Sequence, residues 1–135
     1  MDGTAPKRTC GMSPLRVYLC DLTHDSIILV SDTIPINVGF IGSYAKKLFR
    51  DDIEVSLFKY PMAAIDAIKH APPDIIGLSD YSWNSNLSEY VAGVAKAVNP
   101  NALTVMGGTN FPHQPDQQQQ RMVRRPNTDI HTVFE

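Results

Sequence analysis

The sequence predicts an α/β protein built on a five-stranded parallel sheet with helices on both faces. Three observations lead there. Short apolar runs alternate with longer stretches of helical period along most of the chain. Three of the runs, at 15–20, 73–79 and 102–108, are apolar almost throughout, as strands buried on both faces must be. The chain has 135 residues, 43% apolar and 19% charged, enough for one domain with a genuine core.

The elements follow in order. Residues 1–14, "MDGTAPKRTCGMSP", lack the apolar stretch of a secretory signal and read as a disordered leader before a domain at 15–135. "LRVYLC" (15–20) is a buried strand. A long connection, Asp21 to about Pro35, leads to "VGFIGSYAKKLFR". There Phe40, Tyr44, Leu48 and Phe49 recur at helical spacing, with Lys46, Lys47 and Arg50 as a solvated helix end. "IEVSLFKY" (53–60) alternates, which suits an edge strand. "PMAAIDAIKHA" opens on Pro61 at a helix start and aligns Ile65 with Ile68. "PDIIGLS" is a central strand. "NLSEYVAGVAKAVNP" is a helix with Leu87, Val91, Val94 and Val98 along one side. "ALTVMGG" is another central strand, "DQQQQRMVRR" a polar helix with a solvated Gln face, and "DIHTVFE" a last strand.

Five strands and four helices in this pattern suit a flavodoxin-like (Rossmann-like) three-layer sandwich with strand order 2-1-3-4-5. Ligands of such sheets bind beyond the carboxyl ends of the strands, where the order reverses. The loops there are "DLTHDSIILVSDTIP", "DYSWN" and "GGTNFPHQP", the three chemically unusual stretches of the chain.

Several classes are disfavoured. A net charge of −2 gives no field for nucleic acid. No apolar run reaches the ~20 residues that span a bilayer. Cys10 and Cys20, with nine residues between them, match neither a zinc motif nor a structural disulfide, and a reducing cytoplasm is the expected compartment. No G-x-G-x-x-G follows the first strand, and no P-loop occurs; Gly39 and Gly42 instead suggest close helix–sheet packing. A receiver-like phosphoryl site can use Asp21, Asp25 and Asp80, but no Lys follows Lys96 to neutralise the transferred charge. What remains is a site for a long, partly apolar ligand. The long first connection makes room for it. Gly107 and Gly108 let a ligand approach the backbone, and Ser79 offers a hydroxyl on the neighbouring strand.

"DLTH", "IPINVGFIGSYAKK", "PDIIGLSDYSWN" and "VMGGTNFP" resemble the N-terminal cobalamin-binding domain of cobalamin-dependent radical S-adenosylmethionine (SAM) enzymes, over about residues 15–135. The resemblance implies the same fold and cobalamin as cofactor. It implies that Ser79 meets the nucleotide tail, that Gly107 and Gly108 let the tail pass, and that the corrin lies over the strand ends. Asp21, Thr23 and His24, then Tyr81, Ser82, Trp83 and Asn84, and lastly Thr109 and Asn110 complete the candidate cofactor-binding set. The family's D-x-H-x-x-G motif is altered here: Asp21-Leu22-Thr23-His24 is one residue too long, and Ser26 follows without a glycine. His24 is therefore read as exposed or bonded to backbone, and not as a cobalt ligand.

Simpler readings stand beside these. Trp83 packs the start of the third helix or touches ligand. Ser79 caps a turn, Asp21 braces its own loop, and the glycine pair makes a tight strand exit. His70, His113 and His131 have no partners at metal spacing and receive no role. No catalytic residue is assigned. The chain has no C-x-x-x-C-x-x-C motif, so the 4Fe-4S cluster and SAM are expected in a catalytic domain in cis, outside this chain. Glu135 resembles the start of the Glu-Gly-Glu run that follows the last strand in the family, which suggests a domain excised from a larger enzyme. The alternative is a receiver-like or regulatory α/β interaction domain that binds no corrin.

Overall fold

The computed structural model describes residues 13–24 and 34–133. The leader before Ser13, the connection at 25–33 with Asp25 and Ser26, and Glu135 lie outside the described residues. The elements come in the predicted order: β1 (Leu15–Cys20), α1 (Ile36–Phe49), β2 (Ile53–Phe58), α2 (Pro61–His70), β3 (Ile75–Ser79), α3 (Ser85–Val98), β4 (Leu103–Gly107), α4 (Pro115–Arg124) and β5 (Ile130–His131). A short 3-10 turn, Arg50–Asp52, joins α1 to β2. Every strand pair is parallel, and the order is β2-β1-β3-β4-β5. This is the expected doubly wound α/β sheet, with β2 at an edge.

Two apolar layers hold it. On one face Tyr18, Cys20, Leu22, Ile76, Leu78 and Met106 pack against Ala64, Ile65 and Ile68 of α2 and Val91, Ala92 and Ala95 of α3. On the other, Val17, Leu19 and Ile53 pack against Val38 of α1. Each fully buried aliphatic side chain contributes about 1.5–3 kcal/mol. Pro61 and Pro115 open α2 and α4, where a missing N–H costs nothing. Lys46 closes α1 by donating to the carbonyls of Arg50 and Ile53 at 3.1 and 3.0 Å.

The helix faces differ from the sequence reading. In α1 the large side chains point outward, with Phe40 and Tyr44 70% and 63% exposed and Leu48 and Phe49 also exposed. The helix buries Val38 and Gly42 instead. A Cβ at Gly42 would come within 3.3 Å of Leu57 and Val55, so the close approach admits only a small residue there. Gly39 has no such role, because a Cβ there would meet nothing within 4 Å. In α3 the buried side runs through Ser85, Ser88, Val91, Ala92 and Ala95, while Val98 is exposed. Small residues bring that helix close to the sheet, and Ser88 is buried because its hydroxyl donates to the Ser79 carbonyl at 2.8 Å. The last strand is two residues long, much shorter than "DIHTVFE".

Candidate functional site

The loops after β1 and β3 are stitched together at the carboxyl edge of the sheet. Ser79 Oγ donates to Asp21 Oδ1 at 2.7 Å. Asn84 Nδ2 donates to Ser79 Oγ at 2.8 Å and to the Leu22 carbonyl at 3.1 Å, and its Oδ1 accepts from the Tyr81 N–H at 2.9 Å. Asn84 is fully buried, so its amide groups serve the protein's own frame. His24 is exposed, and its Nε2 donates to the Trp83 carbonyl at 2.8 Å. It is bonded to backbone, as the sequence reading expects. Asp21 braces the end of β3 across the sheet.

Tyr81 and Trp83 form a stacked pair, with ring centroids 4.7 Å apart and planes 8° from parallel. The Tyr81 hydroxyl accepts from Asn37 Nδ2 at 3.1 Å, which ties the pair to the first turn of α1. Trp83 is 64% exposed and Ser82 is exposed, so Trp83 does not pack into the base of α3. The two rings make an aromatic shelf above the strand ends.

Asp80 joins the β3 loop to the β4 loop. Its N–H donates to the Gly107 carbonyl at 2.6 Å, and its carbonyl accepts from the Asn110 N–H at 3.1 Å. Its carboxylate, 1% exposed, accepts from the Ser85 hydroxyl, from Asn110 Nδ2 at 3.1 Å and from Arg121 at 3.1 and 3.2 Å. Burial alone would raise this carboxyl's pKa. The hydrogen bonds of Ser85 and Asn110, with the Arg121 charge, outweigh it and lower the pKa. A buried, ion-paired Asp80 leaves a receiver-like site without an accessible carboxylate after β3. Ser85 and Arg121 escaped the sequence reading. The only signal for them is polar residues at the start of α3 and on α4, which looks the same as a solvated face.

The glycine pair has an internal cause. Gly108 adopts φ +141°, and a Cβ there would stand 2.5 Å from the Asp80 carbonyl oxygen. A Cβ at Gly107 would stand 2.5 Å from Thr132 Oγ1. Gly108 is thus required by the strand exit itself, whereas a side chain at Gly107 would have to displace the exposed Thr132 hydroxyl. Thr109 beyond them is exposed, while Asn110 is held by Asp80.

Below this edge lies an apolar groove. Register places Ile75 beside Leu103, Gly77 beside Val105, Ser79 beside Gly107, and Val105 beside Ile130. These side chains share the face on which α1 covers β1 and β2. Over β4 and β5 that cover is incomplete: Leu103 and Ile130 are 39% and 44% exposed. The half-covered floor is apolar, Gly77 adds no side chain to it, and it runs toward the strand ends at Ser79 and Gly107.

Among the described residues no three His, Cys, Asp or Glu side chains gather as a metal site. His70 Nδ1 donates to the Asp66 carbonyl at 2.7 Å, and His131 stacks on Phe111 at 4.5 Å. Cys20 is a buried free thiol whose pKa burial pushes up to about 12. No helix among the described residues is long and apolar enough to cross a membrane.

No family model matches the chain. It is 30% identical over 105 residues to 2-(S-pantetheinyl)-carbapenam-3-carboxylate methyltransferase of Streptantibioticus cattleyicolor. It is 28% identical over 102 residues to the cobalamin-dependent radical SAM methyltransferase TokK of Streptomyces tokunonensis. Each match covers 72% of this chain and 14% of the relative, so the chain spans about a seventh of the length of the curated relatives it matches. In fold it resembles a crystal structure of a cobalamin-binding protein from Desulfitobacterium hafniense, with TM-score 0.55 and 18% identity, over 89% of this chain and 53% of the other.

Proposed function

We propose that this chain, homologous over 72% of its length to methyltransferases that include a cobalamin-dependent radical SAM enzyme, is a cobalamin-binding domain. The observation that carries the reading is the half-covered apolar groove over β3 and β4, on the face of the sheet that α1 covers elsewhere, together with the exposed Tyr81–Trp83 shelf at the end of β3. Its floor of Ile75, Gly77, Leu103 and Val105 suits the flat, partly apolar nucleotide tail of cobalamin. The shelf suits the edge of the corrin. In this reading Trp83, Tyr81, Ser82 and Thr109 face the cofactor. Asp21, Thr23, Ser79 and Asn84 shape the loops around it, and Asn110 holds the far side. His24, already bonded to backbone, does not ligate cobalt.

Cobalamin supplies the cobalt chemistry when bound; the residues of this chain only hold and orient it. With two cysteines in the chain, the 4Fe-4S cluster and SAM belong to a radical SAM catalytic domain in cis. The exposed apolar ridge of α1, Ile36, Phe40, Tyr44 and Leu48 at four-residue intervals, is a surface suited to contact with that domain. A reducing cytoplasm fits the free thiol of Cys20. The test is incubation with hydroxocobalamin followed by desalting. Retained corrin absorbance in about equimolar amount is the expected result. A folded protein that emerges colourless would contradict the reading.

A further inference from the structure

Arg121, Arg124 and Arg125 line an open cleft of about 500 Å³ between the start of α3 and α4. It lies on the α3 side of the sheet, opposite the face that α1 covers. The spacing of three and four residues puts the guanidiniums on one side of the helix. The chain as a whole carries a net charge of −2, so this local excess is not a by-product of a basic composition.

The cleft's own acid does not neutralise them. Glu89 Oε1 accepts from the backbone and side-chain N–H groups of Asn127 at 3.2 and 3.1 Å, and Oε2 accepts from the Thr128 hydroxyl at 2.9 Å. Arg121 is paired with Asp80 through one terminal nitrogen, but its Nε is buried with no acceptor among the described residues. Arg125 donates to two neutral groups, the Ser85 carbonyl at 2.6 Å and Asn86 Oδ1 at 3.1 Å. Arg124 is exposed and makes no hydrogen bond or ion pair among the described residues. Burial first, and then the Arg121 charge, lower the pKa of Arg125, while the charges of Asp80 and Glu89 act in the opposite direction.

We propose that this cleft binds a small polar molecule through a doubly charged oxyanion, either a phosphate or a dicarboxylate. Arg124 and Arg125 are its direct partners. Planar guanidiniums match such oxyanions in paired hydrogen bonds, and the volume is that of a small-molecule site. Apart from Pro112 the lining residues are polar or charged, which suits a polar ligand.

The experiment is calorimetric titration of the chain with pyrophosphate and with malonate at constant ionic strength. Saturable binding of at least one is expected. Arg124→Gln should weaken it about tenfold or more, as loss of a charge-assisted contact does. That side chain is exposed and makes no hydrogen bond or ion pair among the described residues, so the unfolding midpoint and hydroxocobalamin retention should stay as in the unaltered chain. The proposal therefore fails or stands separately from corrin binding. Tighter pyrophosphate assigns the site to phosphates, and tighter malonate to carboxylates. No saturable binding of either anion, or affinities within twofold of the original in both Arg124→Gln and Arg125→Gln, would overturn the proposal.

Discussion

The Asp80 carboxylate, buried behind the end of β3, is ion-paired with Arg121 of α4 at 3.1 Å. The pair locks the β3 loop and α4 together, while the Asp80 backbone holds Gly107 and Asn110 of the β4 loop. Removing one partner leaves the other charge uncompensated. Asp80→Ala should therefore cost about 3 kcal/mol, the low end for a broken buried pair because Arg121 is partly exposed. Urea unfolding of the two proteins measures it; a loss below ~1 kcal/mol would contradict the pairing.

The same carboxylate predicts an acid limit. Its folded pKa lies below the ordinary value of 3.8, so its stabilisation is complete above that value and is lost as pH falls through the folded pKa. Asp129, lowered by Lys96 and Thr104 despite its partial burial, acts in the same direction. Thermal midpoints should fall steeply below about pH 4. Asp80→Asn should start lower and show a shallower fall over that range. A fall of equal steepness in the variant would remove Asp80 as its source.

Gly108 is fixed by the backbone of Asp80. Gly108→Val should lose at least 2 kcal/mol or so, from positive φ and from the clash with the Asp80 carbonyl. Loss of cobalamin binding in that variant then reports a distorted strand exit and not a blocked ligand path. An unchanged thermal transition would show that the exit tolerates a side chain.

Much of this was legible in the sequence, and the gaps have a common cause. Strand order followed from the apolar runs, because a strand buried on both faces has no other composition. The three loops were singled out because glycines, aromatics and hydroxyls at strand ends are rare in plain turns. The orientation of α1 was not legible: a close approach at Gly42 turns Phe40 and Tyr44 outward, and periodicity alone does not say which face meets a sheet. Asp80 was recognised only as a phosphoryl-site candidate, since its partner Arg121 lies 41 residues away. The glycine pair was read toward ligand, whereas its nearest constraints, Asp80 and Thr132, become visible only once the strands are paired.

Cys20 should be inert in the folded state, being fully buried with its pKa raised to about 12. In a Cys10→Ser background, a disulfide reagent at pH 8 should react at the rate of global unfolding, and rapidly once urea is added. Immediate reaction without denaturant would place the thiol at the surface.

Trp83 is the one tryptophan of the chain and sits exposed on the shelf, so its fluorescence reports directly on the site. Trp83→Ala should change stability by less than ~1 kcal/mol, as exposed substitutions do. It should weaken cobalamin binding by a few-fold to about tenfold, the scale of one lost aromatic contact. Equal corrin affinity in this variant would take the shelf out of the site.

The central claim, a corrin on the strand ends with its nucleotide tail in the groove over β3 and β4, is tested most directly by comparing two ligands. Trp83 fluorescence is titrated with hydroxocobalamin and with cobinamide, the corrin that lacks the tail. The account predicts saturable quenching by hydroxocobalamin and an affinity at least about tenfold weaker for cobinamide, because the apolar floor of Ile75, Leu103 and Val105 is filled only by the tail. Equal affinities would contradict the groove, and no saturable quenching by either ligand would contradict the cobalamin-binding domain itself.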